Sequence, residues 1–109
     1  MSRDKYKKQG QKRQGDVLLT PLSRAPTQKS RLPWDGVLAR GEATGHAHRV
    51  IGETLLWNIA GQQYNVLEVK ERGVVLSHEQ HPPHTLPEKW YEVRIQREDR
   101  QGGAGNVYD

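Results

Sequence analysis

The five histidines are the residues of this sequence whose type and spacing point most directly to chemistry. They form two clusters, His46 and His48, then His78, His81 and His84. Residues two apart in a β-strand project to the same side of the sheet. If residues 46–51 form a strand, the two imidazoles of the first cluster are therefore expected to lie side by side.

The two clusters have the spacing of a metal site. Two imidazoles from one strand, with one or two more from a second cluster that runs from the end of strand 74–78 into a proline-stiffened loop at residues 79–88, would satisfy Zn²⁺ or another divalent metal and leave a coordination position open. The candidate ligands are His46, His48, His78 and His81. The chain has no Cys, which excludes thiolate ligands, disulfides and a cysteine nucleophile.

The same histidines also allow acid–base chemistry without a metal. A pair of imidazoles with a carboxylate, from Glu79 or Glu42, has the groups needed for general acid–base cleavage of an RNA phosphodiester. An arginine, Arg49 or Arg94, would stabilise the charge that develops on the phosphate. Glu79 is the candidate catalytic residue in this interpretation. A third interpretation treats the histidines as ordinary polar surface residues.

A basic segment precedes the histidines. Its cations are Arg3, Lys5, Lys7, Lys8, Lys12 and Arg13. Against the single carboxylate of Asp4 they give residues 1–14 a net charge of +5, so that residues 15–109 carry about −1 of the chain's net +4. A segment so poor in apolar residues is predicted to be flexible. It is expected to bind RNA or DNA through phosphate contacts, although it could also serve only to keep the chain soluble.

The positioning elements are predicted to be strands, because apolar and polar residues alternate in several short runs and no stretch keeps a helical period. Strands are predicted at 16–22, 37–43, 46–51, 54–60, 63–70, 74–78 and 89–98. The Pro-containing segments 23–36 and 79–88 are predicted to be loops. In residues 89–98, Tyr91, Val93 and Ile95 alternate with polar residues, which is typical of a half-buried strand.

These elements predict an all-β fold: a small single-domain antiparallel barrel or roll with a disordered basic N-terminus. Residues 1–14 would be the flexible tail, 15–98 the β domain and 99–109 a flexible C-terminal tail. Trp34 is expected to fold back onto the domain. Trp57 and Trp90 are expected to anchor the core or its rim rather than to act as stacking platforms. Arg97 is expected either at an exposed strand end or paired with a carboxylate such as Glu42.

Composition bears on membrane association, cellular compartment and assembly. Hydrophobic residues make up 33% of the chain, and no long apolar run or secretory signal is present, so no membrane association is expected. The absence of Cys fits a reducing, cytoplasmic environment. Low apolar content and a long loop would also suit a homo-oligomer or a subunit of a larger assembly, whose exposed surfaces are covered by partners.

The first histidine cluster resembles a known motif. His46-x-His48 followed by Glu53 is similar to the first motif of the cupin family. Cupins are small β-barrels that hold a metal ion with such residues and one later histidine. The resemblance implies that His78, His81 or His84 supplies that later ligand.

A second resemblance covers residues 14–98. The strings QGDVLL, GEATGHAHRV and LSHEQHPPHTLPEKWYEVRIQRE resemble an uncharacterised family of small bacterial and phage proteins. The resemblance implies that His46, His48, His78 and His81 belong to the family pattern. His84 stands where the family carries an apolar residue. No activity follows from the resemblance.

Three functions are compatible with the sequence. The first is a metal-binding β-protein associated with nucleic acid, which could carry out a metal-assisted or acid–base phosphodiester reaction. The second is a non-catalytic RNA- or DNA-binding module, in which the histidines line a polar groove. The third is a subunit of a nucleoprotein assembly. Whether the chain is an enzyme is left open by the sequence.

Overall fold

The computed structural model describes residues 6–41 and 45–96. This part of the chain forms ten β-strands and no α-helix, which confirms the predicted all-β class. The strands are β1 (Lys12–Gln14), β2 (Val17–Leu22), β3 (Lys29–Leu32), β4 (Val37–Arg40), β5 (Ala47–Ile51), β6 (Thr54–Ile59), β7 (Asn65–Val69), β8 (Val75–Ser77), β9 (His84–Thr85) and β10 (Trp90–Ile95). None of the described segments is a helix long and apolar enough to cross a membrane.

The strands form two antiparallel sheets. The large sheet has the order β1-β2-β10-β7-β6-β3, and the small sheet has the order β4-β5-β8-β9. One hydrophobic core lies between them, to which both contribute. The large sheet supplies Val17, Leu19, Leu56, Leu67, Val69, Tyr91 and Val93, and the small sheet supplies Ala39, Val50 and Leu76. Because strand side chains alternate, the residues between these face away from the core.

Trp34 closes part of this core. It packs against the hydrophobic cluster and its indole Nε1 donates to the carbonyl of Val37 at 2.9 Å. The contact agrees with the expectation that the segment at 23–36 folds back onto the domain.

Two segments differ from the prediction. The predicted loop 23–36 contains β3, which pairs with β6 at the edge of the large sheet. Its sequence, KSRL, is mostly charged and polar, as is common at an edge strand that faces water, so hydrophobic alternation does not reveal it. The loop 79–88 contains the two-residue strand β9, which pairs with β8.

The paired structure also begins earlier than the predicted boundary at residue 15. β1 lies within the segment predicted as a flexible tail, and it pairs with β2. Lys7 bridges to Leu22, and the amide of Lys8 donates to the carbonyl of Pro21 at 2.8 Å. Arg3 and Lys5, the predicted pair of Glu42 with Arg97, and the predicted C-terminal tail at 99–109 lie outside the described residues.

Tyr91 gives the fold a predicted sensitivity to alkaline pH. Burial raises the pKa of its phenol above the usual 10.0, although the amide of Glu88, which donates to the phenol oxygen, opposes that shift. A raised native pKa means that the unfolded chain releases the proton first. We therefore expect stability to fall as pH rises through 10 towards the native pKa, and Tyr91→Phe to show a shallower fall in urea titrations at pH 9–11. Equal slopes for the two proteins would contradict this expectation.

Candidate metal centre

Strand pairing brings the two histidine clusters together. In the β5–β8 ladder Arg49 pairs with Ser77, and the same register continued by one residue sets His48 opposite His78. Opposed side chains of an antiparallel pair lie within contact distance. The ring centroids of His48 and His78 are 4.2 Å apart. The spatial meeting of an early strand with the later proline-containing segment, which the spacing predicts, is therefore present in the fold.

Four imidazoles form what we call the histidine pocket: His46, His48, His78 and His81. The ring of His81 lies 4.6 Å from that of His78 and 5.8 Å from that of His48. His46 contacts His78 edge-on, with centroids 5.6 Å apart. His48 is fully buried and His78 nearly so, while His46 and His81 are half-buried. The pocket thus has a closed inner end and a more open outer side.

Gln14 determines which nitrogen of His48 carries the proton. This buried residue ends β1, and its side-chain amide donates to the carbonyls of Leu76 and Pro82 at 3.2 and 2.9 Å. The amide oxygen must then be the atom that lies 2.9 Å from Nδ1 of His48. Because that oxygen can only accept, Nδ1 donates to it. Neutral His48 therefore presents a lone pair at Nε2, as a metal-ligating histidine does.

Asp16 faces that lone pair. The residue follows β1 in the turn to β2, is 8% exposed, and its Oδ1 lies 3.4 Å from Nε2 of His48. A carboxylate oxygen and an imidazole lone pair repel each other in a buried place, where the effective dielectric constant is low. A positive charge between the two atoms would reverse that repulsion, and it can be supplied by a proton or by a metal ion.

The other two inner imidazoles differ from His48. Nδ1 of His78 accepts the backbone amide of Gln80 at 3.0 Å, so the neutral ring carries its proton at Nε2. The Nε2 atom of His81 is buried and has no hydrogen-bond partner within the described residues. His78 and His48 are therefore neighbouring rings in opposite tautomers, while His81 has a ring nitrogen available to a ligand.

The donors are near one another but have not converged. Imidazoles that share a tetrahedral Zn²⁺ at Zn–N distances of about 2.0–2.1 Å have ring centroids about 5 Å apart, and the three inner rings are separated by 4.2–5.8 Å. Even so, no three His, Asp or Glu side chains of the described residues already have the arrangement that holds a metal ion. Side-chain rotations would be needed to complete a site.

His84 and Glu53 lie apart from the pocket. Nε2 of His84, on β9, is 3.0 Å from the carbonyl of Arg13; because a carbonyl only accepts, the ring donates and ties β9 to β1. Glu53, the carboxylate of the cupin-like pattern, is exposed at the turn between β5 and β6. His84 therefore serves as a natural control for the four histidines of the pocket.

Glu79, the predicted catalytic residue, holds two backbone segments together. Its carboxylate accepts the amide of Ala47 at 2.9 Å and the guanidinium of Arg49 at 2.8 Å. These contacts, the Ala47 amide first, lower the pKa of Glu79 to about 2. So weak a base is poorly matched to proton abstraction near neutral pH. The geometry instead gives Glu79 the role of fixing the loop after β8 against β5.

The arginines of the acid–base interpretation are also engaged elsewhere. Arg49 is held by Glu79, and Arg94 pairs with Glu92 at 2.6 Å and lies over the ring of Tyr64. Glu42 lies outside the described residues. Gln14 and Asp16 are parts of the site that the histidine spacing does not predict. The signal was present, since both residues belong to the string QGDVLL of the family resemblance.

Similarity to known proteins identifies a family for this chain and nothing further. Residues 13–96 match the model of a domain of unknown function, DUF8820. No curated protein matches the chain, and no solved structure does. The match spans Gln14, Asp16 and all five histidines. It agrees with the resemblance to an uncharacterised family and adds nothing to the cupin resemblance, which stays a prediction.

Proposed function

The chain belongs to the DUF8820 family, whose description names no activity, and we propose from the site itself that it is a metal-binding β-protein. The histidine pocket would take Zn²⁺ or another divalent ion that accepts imidazole and carboxylate ligands. The observation that carries the proposal is the convergence of a carboxylate and imidazoles in a buried place: Nε2 of His48 lies 3.4 Å from the Asp16 carboxylate, Nδ1 of His48 is directed to Gln14, and the ring of His81 is 5.8 Å away.

The ligand set follows from the tautomers. His48 and Asp16 would bind the ion at the closed end of the pocket, and His81 supplies a third donor through its buried Nε2. His78 can join only if its proton moves to Nδ1, which gives up the bond from the Gln80 amide and costs about 0.5–1.5 kcal/mol. Structural zinc sites bind with far larger free energies. His46, on the outer side, would complete or shield the site.

Uptake of metal by the purified chain tests the proposal. After removal of metal with a chelator, calorimetric titration with Zn²⁺ should show saturable binding of a single ion. Asp16→Asn and His48→Gln should weaken that binding by about 10-fold or more, because the first removes the negative charge of a ligand and the second replaces an imidazole nitrogen by a weaker amide donor. His84→Gln should leave it unchanged. Absence of saturable uptake, or equal loss in all three variants, would overturn the proposal.

A metal-free acid–base site is the second candidate, favoured by the opposite tautomers of His48 and His78. In such a site His48 would accept the proton of a ribose 2′-hydroxyl and His78 would donate one to the leaving oxygen. The burial of His48 favours the metal instead, because a small ion can be enclosed where an RNA phosphate cannot reach. Cleavage of an RNA oligonucleotide that persists in excess EDTA would support the acid–base site.

A further proposal is that the basic segment binds nucleic acid. If such binding is found, metal-assisted cleavage of a phosphodiester is the reaction to test first. Deletion of residues 1–5 removes Arg3 and Lys5 and leaves residue 6 onward, where the described structure begins, unchanged. We expect the deletion to weaken oligonucleotide binding and to make it less dependent on salt, because fewer counterions are released. Unchanged affinity in fluorescence anisotropy would remove this segment from the proposal. Assembly with further subunits stays a prediction.

A further inference from the structure

The outer face of the large sheet carries aromatic side chains. Trp57 on β6 and Trp90 on β10 alternate with the core residues Leu56 and Tyr91, so their rings lie on the side away from the core. Both rings are half-buried, as is that of Tyr64 just before β7. We call this surface the outer face. It is separate from the histidine pocket, which is formed by the small sheet, the loop after β8 and the β1–β2 turn.

Cations surround these rings. Nζ of Lys29 lies 5.0 Å from the ring centre of Trp57 and 5.7 Å from that of Trp90, so it reaches both. Arg31 lies over Trp57 at 5.8 Å, and Lys89 lies 5.8 Å from the Trp90 ring. Cation–π contacts of this kind hold positive charge close to apolar ring surfaces.

Glu68 and Glu92 hold side chains of this face in place but do not cancel its positive charge. Glu68 accepts the indole N–H of Trp57 at 3.1 Å and lies within 3.6 Å of Lys70 and Lys89. The indole edge is thereby tethered, which limits rotation of the ring. Glu92 pairs with Arg94 and Lys7. Within the described residues, the cations recorded against these rings and carboxylates outnumber Glu68 and Glu92; they are Lys7, Lys29, Arg31, Lys70, Lys89 and Arg94.

We propose that the outer face binds single-stranded nucleic acid, RNA or DNA. Bases would stack on Trp57 and Trp90, and phosphates would pair with Lys29, Arg31 and Lys89. Aromatic platforms within a cationic surface are the means by which proteins bind single strands with little dependence on sequence. A duplex would fit less well, because its bases are already stacked on one another. The positive charge of the surface favours a polyanion, and the two tryptophans favour a polyanion whose aromatic bases are free to stack.

Binding of a fluorescein-labelled single-stranded oligonucleotide to the full chain, in EDTA, tests this proposal without involving the metal site. Trp57→Leu and Trp90→Leu should each weaken binding about 5-fold or more, as expected for loss of one base stack. Trp57→Phe should retain most of the affinity. Circular dichroism of each variant verifies that the sheet is intact.

A charge-matched pair of variants separates phosphate contacts from net charge. Arg31→Gln should reduce the salt dependence of binding by about 0.7 in log–log slope, the value for one phosphate contact on a single strand. Arg40→Gln removes the same charge from the small sheet, where Arg40 pairs with Asp35 at 2.6 Å, and should leave the slope unchanged.

Any one of the following results would overturn the proposal. The first is no saturable binding of the oligonucleotide, and the second is equal affinity of Trp57→Leu and the wild-type chain. The third is equal binding of duplex DNA. The fourth is equally effective competition by poly-glutamate, which would identify the face as a site for acidic protein segments. Loss of binding on deletion of residues 1–5, with no effect of the tryptophan variants, would assign binding to the basic segment instead.

Discussion

Zinc at about 100 times its Kd is expected to raise the melting temperature of the metal-free wild-type chain by about 10 °C or more. A ligand that binds only the folded state at this excess adds about 2.7 kcal/mol to stability. In a domain of this size each kcal/mol raises the melting temperature by about 4–8 °C. The pocket joins β5 and the loop after β8 to the turn that follows β1, so an ion bound there would hold both sheets together.

His81→Ala should abolish most of that rise while lowering the melting temperature of the metal-free chain only slightly. His81 lies half-buried in a loop, and its Nε2 makes no hydrogen bond within the described residues. Truncation therefore removes a ligand but little structure. His84→Ala, measured beside it by differential scanning fluorimetry, should preserve the zinc response. An identical zinc response in wild type and His81→Ala would show that the ion binds elsewhere.

Gln14→Ala is expected to be the most destabilising of the substitutions considered, at about 3 kcal/mol or more. The change leaves the carbonyl of Leu76 and the Nδ1–H of His48 without their buried partner, and it also removes the part-buried bond to the carbonyl of Pro82. Each buried polar group deprived of its partner costs about 1–3 kcal/mol. Equilibrium unfolding in urea measures the loss. Zinc affinity should fall as well, because the proton on His48 would no longer be directed to Nδ1.

Gln11→Ala is the matched control for this prediction. Gln11 belongs to the same segment, but it is exposed and makes one side-chain bond, to the hydroxyl of Thr20 at 3.0 Å. Its loss should cost about 1 kcal/mol or less. If Gln14→Ala lowered the free energy of unfolding no more than Gln11→Ala does, the hydrogen bonds that orient His48 would not contribute measurably to stability.

The strands that sequence predicts well are those in which apolar and polar residues alternate. In β10 the apolar residues Tyr91 and Val93 alternate with the charged residues Glu92 and Arg94, so the period of two is visible in the residue types, although Glu92 is buried as well. The sequence does not predict β3, because an edge strand of charged residues has no apolar period. β1 falls within the predicted tail for a similar reason: Gln14, its one deeply buried side chain, is polar, and its three hydrogen-bond partners lie far away in the sequence.

The candidate site, too, has parts that the sequence predicts and parts that it does not. The histidine clusters and the strand that carries His48 can be recognised from spacing alone. The register that sets His48 opposite His78 joins strands that are distant in sequence, and nothing local encodes it. Asp16 has the same limitation: it becomes part of the site only because β1 packs beside β5 and β8. For Trp57 and Trp90, sequence predicts anchors of the core or its rim, whereas both lie half-buried on the outer face.

The protonation state of His48, with and without zinc, tests the account most directly. Nitrogen-15 NMR of the imidazoles distinguishes a protonated nitrogen from a bare one and from a metal-bound one. We expect Nδ1 of His48 to keep its proton throughout and the Nε2 signal to shift on addition of Zn²⁺, while the signals of His84 do not move. A His48 ring that carries protons on both nitrogens, paired with Asp16 and unchanged by zinc, would contradict it.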